Sequence, residues 1–188
     1  MPFSHSGQLT AIVGEVESLD PSSILDVGTG MGQYGFLLRT NLENINLFTI
    51  EGTVGRKAPR ESWRVRIEGI EGFREYLTPV HDYAYNKIHI GDALEILPTL
   101  PERAYELVIA VDILEHFTKE DGRRFLDECR RVSGKHTLVS TPKDFIHQEV
   151  DANPLENHRS VWTREDLAQC SFERIVPNDV SWIAVHTR

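Results

Sequence analysis

The sequence has 188 residues, of which 40% are hydrophobic and 26% are charged, so we predict one globular domain spanning residues 1–188. Its formal net charge of −9 disfavours broad binding to nucleic acid or to an anionic membrane, and favours a small-molecule partner. The first twenty residues carry three acids, Glu15, Glu17 and Asp20, and no continuous apolar run, which excludes a secretion signal or a membrane span there and predicts a cytoplasmic protein.

The chain is predicted to begin with an amphipathic helix, followed by a strand that turns directly into a second helix. Apolar residues recur at helical spacing between Ser6 and Asp20. Ser23–Val27 is a short apolar run that ends in glycines, and a segment of helical periodicity around Tyr34 follows it.

The alternation of strand and helix continues along the chain. Further strands are predicted near Asn46–Ile50, Lys87–Ile90, Glu106–Asp112 and His136–Ser140, with a helix at Lys119–Val132. The runs Phe172–Val176 and Ser181–His186 are separated by turn-forming residues and predict an antiparallel hairpin. The pattern therefore predicts an α/β fold, with a seven-stranded, mostly parallel sheet, helices on both faces and a C-terminal antiparallel hairpin.

A glycine-rich turn lies between the first strand and its helix. Gly28, Gly30 and Gly32 occur where the chain must turn sharply, and glycine lets the backbone come close to a ligand. The dinucleotide-binding fingerprint needs its third glycine at position 33, which is Gln33 here. Alone, the turn is equally compatible with a plain strand-to-helix connection.

Three carboxylates lie at or near the ends of successive predicted strands. Asp26 precedes the glycine turn and could face a ligand ammonium group. Glu51 closes the second strand, where a carboxylate can accept both hydroxyl protons of a ribose, and Asp92 closes the third, in position for an adenine amino group. Each acid alone is better explained as a helix cap or a solvated loop residue, whereas together they favour a nucleotide-like ligand.

Four parts of the chain resemble, in order and spacing, the successive motifs of class I S-adenosylmethionine-dependent methyltransferases. They are Ile24–Gly35, Glu51, Gly91–Ala93 and Glu106–Phe117. The resemblance covers the chain up to about Ser140. It implies a Rossmann-like fold, S-adenosyl-L-methionine as the cofactor and methyl transfer as the activity. The cofactor-binding residues that it implies are Asp26, Gly28, Gly30, Gly32, Glu51, Asp92, Ala93 and Asp112.

The resemblance assigns each of these residues a part of the cofactor. The glycine turn would bind the methionine portion, Glu51 the ribose, and Asp92 with Ala93 the adenine. Asp112 ends the fourth strand, where the family brings cofactor and substrate together.

Two histidines are predicted to be catalytic. Methyl transfer is an in-line displacement, so the protein mainly aligns a nucleophile with the methyl group and excludes water, and a general base is optional. His116 is the first candidate for a base, although a packing or capping role fits equally well. His158 lies in the polar segment Asn153–Trp162, which suits a substrate lid or a surface loop leading into the helix Thr163–Cys170.

The sequence gives weaker indications about metals, charge and acceptor. His147, Glu149, Asp151 and His158 match no standard ligand spacing, so no metal is predicted. The basic segment Arg56–Arg66 could guide an anionic substrate or form a solvated face. Asp112–Glu115 differs from the Asn-Pro-Pro-Tyr motif of amide and nucleobase amine methylases, which favours a small polar acceptor methylated at oxygen and leaves an RNA acceptor open.

Two alternatives stay open. A nicotinamide-dependent oxidoreductase would share this sheet, and Tyr83 and Lys87 have the spacing of short-chain dehydrogenases, but they precede a strand rather than lie on a later helix. A non-catalytic module that binds the cofactor is the other alternative, although such a copy would be expected to lose one of the cofactor acids.

Overall fold

A computed structural model describes residues 4–144 and 146–188, and a central β-sheet organises them. The strands are β1 (Ser23–Val27), β2 (Phe48–Glu51), β3 (Val54–Lys57), β4 (Arg66–Glu71), β5 (Lys87–Ile90), β6 (Tyr105–Val111), β7 (Ser133–Pro142), β8 (Arg174–Val176) and β9 (Ser181–Thr187). The α-helices are α1 (Leu9–Leu19), α2 (Gln33–Glu43), α3 (Pro79–Ala84), α4 (Ala93–Ile96), α5 (Lys119–Val132) and α6 (Arg164–Gln169).

The central sheet has seven strands in the order β5-β4-β1-β6-β7-β9-β8. The strands from β5 to β7 are parallel to one another, whereas β9 pairs antiparallel with both β7 and β8. This topology confirms the predicted α/β fold with its C-terminal antiparallel hairpin. It also brings the carboxyl ends of β4, β1 and β6 to one edge, where open α/β sheets bind ligands.

Side chains alternate between the two faces of the sheet, and helices cover both. Ile24 packs on the face that carries α1, α2 and α3, together with Ile12 and Leu38. Leu25 and Val27 pack on the opposite face, which carries α4, α5 and α6. Both faces of β1 are therefore buried, which is typical of a central strand in a parallel sheet.

One predicted strand does not belong to the central sheet. β2, at the position predicted as Asn46–Ile50, pairs with β3 in a separate antiparallel hairpin, and its four residues are exposed. The sheet instead takes β4 as the neighbour of β1. The strand itself was predicted correctly, but its place in the central sheet was not, because the apolar side chains of β2 face solvent instead of the core.

The strand β4 was not predicted because charged residues interrupt its apolar pattern. The structure satisfies those charges with partners from elsewhere in the chain. Glu68 lies 2.9 Å from both Arg66 and His89 and accepts a 2.7 Å hydrogen bond from the Tyr105 hydroxyl.

The basic segment Arg56–Arg66 is spread over β3, β4 and the chain between them. Arg56 pairs with Glu51 at 3.1 Å, and Arg64 pairs with Asp20 at 3.0 Å. These ion pairs favour the solvated-face interpretation of the segment. Within residues 4–144 and 146–188, no helix is both long and apolar enough to cross a bilayer.

Candidate cofactor site

A cavity of about 270 Å³ lies at the carboxyl edge of the central sheet. Its wall combines the glycine turn with strand ends and with a later loop. The residues that matter most for its chemistry are Gly28, Gly30, Glu71, Asp92, Ala93, Asp112, His116 and Arg159. Six of these were predicted individually as site residues from the sequence. Arg159 was predicted only as part of the polar segment Asn153–Trp162, and Glu71 was not predicted.

In the glycine turn, Gly28 and Gly30 have no side chain, so their backbone borders the cavity directly. Gly28 has a φ of 80°, in the left-handed region, and its N–H donates to the Ile70 carbonyl of β4 at 2.9 Å. A Cβ at this position would lie 2.8 Å from Cδ1 of Ile113, so a larger residue would clash as well as strain the backbone. Gly32 is the N-cap of α2 and packs against Val80 and His81 rather than in the described cavity wall.

Glu71 is the acid at the end of the strand beside β1. Its buried carboxylate accepts hydrogen bonds from the Gly30 N–H at 2.7 Å, the Thr29 hydroxyl at 3.2 Å and the Phe73 N–H at 2.9 Å. Burial raises the pKa of Glu71. The carboxylate therefore connects the glycine turn to β4 and also faces the cavity.

Glu51 does not occupy the position on which its predicted role depends. It lies at the end of β2 in the separate hairpin, where its side chain is 66% exposed and pairs with Arg56. The described wall of the cavity does not include it. The sequence analysis took β2, instead of β4, as the strand beside β1, so it took Glu51, instead of Glu71, as the acid at the end of that strand. The sequence signal for Glu71 was the pair Ile67 and Ile70 leading into Glu71-Gly72.

Asp26 faces the interior of the fold. It accepts a 2.5 Å hydrogen bond from the Tyr85 hydroxyl, whose oxygen in turn accepts from the Gly35 N–H at 3.0 Å. Burial raises the pKa of Asp26 to about 7. The expectation that Asp26 faces a ligand directly is therefore not met, because its carboxylate joins β1 to the start of α2 through Tyr85.

Asp92 and Ala93 lie in the cavity wall after β5. Asp92 is also the N-cap of α4, where its Oδ1 accepts from the Leu94 N–H at 2.8 Å. The capping role and a ligand-binding role are compatible, since a carboxylate can accept several hydrogen bonds.

Asp112 follows β6 and has a φ of 50°, unusual for a residue with a side chain. Its carboxylate accepts from the Gln8 amide at 2.5 Å and from the Ser140 hydroxyl at 3.3 Å. The chain before α1 thus reaches the same part of the cavity, where Ser4 also lies in the wall.

His116 and His158 come together beside this end of the cavity. Their ring centroids are 5.0 Å apart, and His116 lies in the cavity wall. The main chain holds the two segments together, because the Glu115 carbonyl accepts from the N–H groups of Arg159 and Ser160 at 2.8 and 3.1 Å. Burial lowers the pKa of His116.

Comparison of the sequence with protein-family models and with curated proteins finds no match. Solved structures, in contrast, match over nearly the whole chain. Magnesium protoporphyrin IX methyltransferase from Synechocystis, crystallised with S-adenosylhomocysteine, is 13% identical over 96% of this chain and 83% of its own, with a TM-score of 0.60.

Two further structures show the same similarity. A SAM-dependent methyltransferase from Archaeoglobus fulgidus is 11% identical over 95% of this chain and 94% of its own, with a TM-score of 0.59. The methyltransferase domain of a bacterial Hen1 protein is 16% identical over 97% of this chain and 98% of its own, with a TM-score of 0.61. The chain therefore has the fold of the class I S-adenosylmethionine-dependent methyltransferases.

Proposed function

We propose that this chain is a methyltransferase that uses S-adenosyl-L-methionine and acts on a small polar molecule at oxygen. The observation that carries the proposal is that the glycine turn, Glu71 and Asp92 line one cavity at the carboxyl edge of a sheet with this strand order. The cofactor acids come from β4 and β5, and the glycines from the end of β1.

The residues present fit the cofactor. Glu71 uses both carboxylate oxygens for internal hydrogen bonds, yet a carboxylate offers about four acceptor positions, so it can still accept from the hydroxyls of a ribose. Asp92 offers a second carboxylate to an adenine amino group, and the small side chain of Ala93 leaves room beside it. The turn at Gly28 and Gly30 admits the methionine portion next to the backbone.

The acceptor would enter beside Asp112, His116 and Arg159. These groups offer a carboxylate, an imidazole and a guanidinium, which suit a polar molecule. Closing the cavity around the acceptor would align its oxygen with the methyl carbon and exclude water, which are the main requirements of the reaction.

Calorimetric titration with S-adenosylmethionine, S-adenosylhomocysteine and NAD tests the cofactor. We expect binding of both sulfur compounds and none of NAD. NAD binding alone would support the oxidoreductase alternative, and no binding of either sulfur compound would end the proposal.

A methyl-transfer assay against metabolite pools tests the reaction. Mass spectrometry should detect an acceptor that gains one methylene unit. Cofactor binding without any such product would indicate a cofactor-binding module instead of an enzyme.

A further inference from the structure

Glu115, His116 and His158 form a cluster at the acceptor end of the cavity. Each side chain offers one ligand atom, and these three atoms lie within 4.8 Å of one another. The cluster joins two segments that are far apart in sequence, namely the 3₁₀ helix Leu114–His116 after β6 and the loop before α6. His116 is shared between this cluster and the cavity wall.

Both imidazoles are oriented by main-chain carbonyl groups. The Nδ1 atom of His116 lies 3.4 Å from the Asn157 carbonyl oxygen, and Nδ1 of His158 is hydrogen-bonded to the Ile146 carbonyl oxygen. A carbonyl can only accept, so each ring carries its proton on Nδ1 and its lone pair on Nε2 when neutral. Metal-binding histidines are held in this way, with the second nitrogen donating to a carbonyl or carboxylate.

The charges around the cluster favour a cation. The Glu115 carboxylate is buried, where it accepts from the Thr141 hydroxyl at 3.1 Å, and the carboxylates of Asp112 and Glu156 act on it electrostatically. Several carboxylates close together in a buried region repel one another, and burying a carboxylate is costly unless it is paired or coordinates a metal. A bound divalent cation would offset both costs.

We propose that Glu115, His116 and His158 bind a divalent transition-metal ion beside the cavity, where His116 borders it. Two imidazole nitrogens and one carboxylate are a donor set for zinc, iron or cobalt, and three protein ligands leave coordination positions open. Because His116 borders the cavity, an open position can face the acceptor.

The role of this ion rests on the proposed function. It would bind the acceptor oxygen as a Lewis acid and ease the loss of the hydroxyl proton to water. The oxygen would form a bond to the methyl carbon while the carbon–sulfur bond breaks, and the sulfur would leave with the electron pair as a neutral thioether. His116 and His158 would then be metal ligands instead of general bases.

Cobalt titration of the untagged, metal-free protein tests the site directly. We expect one Co²⁺ per chain, detected by heat and by visible absorption of the coordinated ion. The variants Glu115→Gln and His158→Ala should each weaken Co²⁺ binding about 10-fold or more, since each removes a ligand. The control is His147→Ala, which removes an exposed imidazole in the same loop and should leave binding unchanged.

S-adenosylhomocysteine titration of the same samples without metal separates this proposal from the function. Retained binding by the variants shows that they are folded. If the unmodified protein binds Co²⁺ but no S-adenosylhomocysteine, the proposed function is contradicted and the metal site is supported. The metal site is overturned if the unmodified protein binds no Co²⁺, or if His158→Ala and Glu115→Gln bind it as tightly as the unmodified protein.

Discussion

At the residue scale, the burial of Asp26 makes stability depend on pH. Burial raises the pKa of Asp26 from 3.8 to about 7, so the folded protein favours the neutral carboxyl group. A group whose pKa is higher in the folded state contributes stability that is complete below its unfolded pKa. That contribution is lost as the pH rises through the folded pKa.

We therefore predict that Asp26 lowers the free energy of unfolding as the pH rises from about 4 to about 7, by up to about 1.4 kcal/mol per pH unit. Asp26→Asn cannot ionise and should lack this component. Urea unfolding of both proteins across this pH range measures the difference between them. A difference that stays constant with pH would show that Asp26 does not titrate in this way.

Two helical glycines provide a matched pair for a packing prediction. A Cβ on Gly35 in α2 would lie 2.0 Å from the Tyr85 ring, whereas a Cβ on Gly14 in α1 would meet no heavy atom within 4 Å. Gly35→Ala should destabilise the protein by about 1–3 kcal/mol through overpacking. Gly14→Ala should stabilise it by up to about 1 kcal/mol, because alanine favours the helix.

Urea unfolding of the two alanine variants at one pH decides this prediction. Equal effects of the two substitutions would show that Tyr85 moves freely away from α2.

At the element scale, local signals were enough for several helices and strands. α5 has the predicted bounds, because its apolar periodicity coincides with an N-cap at Thr118, whose hydroxyl accepts from the Asp121 N–H at 3.1 Å. Thr163 and Asp166 form a capping box at the start of α6. β1 also has its predicted bounds, since the glycine turn ends it.

The order of strands beside β1 could not be obtained from local signals. β2 has the apolar alternation of a strand and is one, but the sequence does not show which sheet a strand joins. β4 contains Arg66 and Glu68, whose partners include Ala104, His89 and Tyr105. Those partners lie 21 to 38 positions away and become visible only in the folded chain.

This difference between the strands predicts different costs of truncation. Ile70 in β4 is 1% exposed and Ile50 in β2 is 80% exposed. Ile70→Ala should lower the free energy of unfolding by about 2–5 kcal/mol. Ile50→Ala should change it by no more than about 0.5 kcal/mol.

Denaturant titration of the two isoleucine variants tests which strand supports the core. A decrease of several kcal/mol in the free energy of unfolding of Ile50→Ala would show that Ile50 is packed in the core, which would contradict the separate, exposed hairpin.

At the scale of the whole molecule, the sequence predicted the architecture better than the site. The parallel sheet, its helices and its C-terminal hairpin follow from alternating patterns, and the core on both faces of the sheet supports the proposal of one domain. Glu71, which we propose as the cofactor acid, was missed because the strand β4 itself was missed. The approach of His116 to His158 depends on the path of the loop before α6, which local sequence does not specify.

The central claim is that Glu71, at the end of β4, binds the cofactor ribose. Calorimetric titration of S-adenosylhomocysteine into Glu71→Gln and Glu51→Gln tests it, with both acids changed to the same neutral residue. Glu71→Gln should weaken binding by about 1–3 kcal/mol, because charge-assisted hydrogen bonds to the ribose are lost. Glu51→Gln should bind like the unmodified protein, and the claim is contradicted if Glu71→Gln also does so or if Glu51→Gln loses the greater part of the affinity.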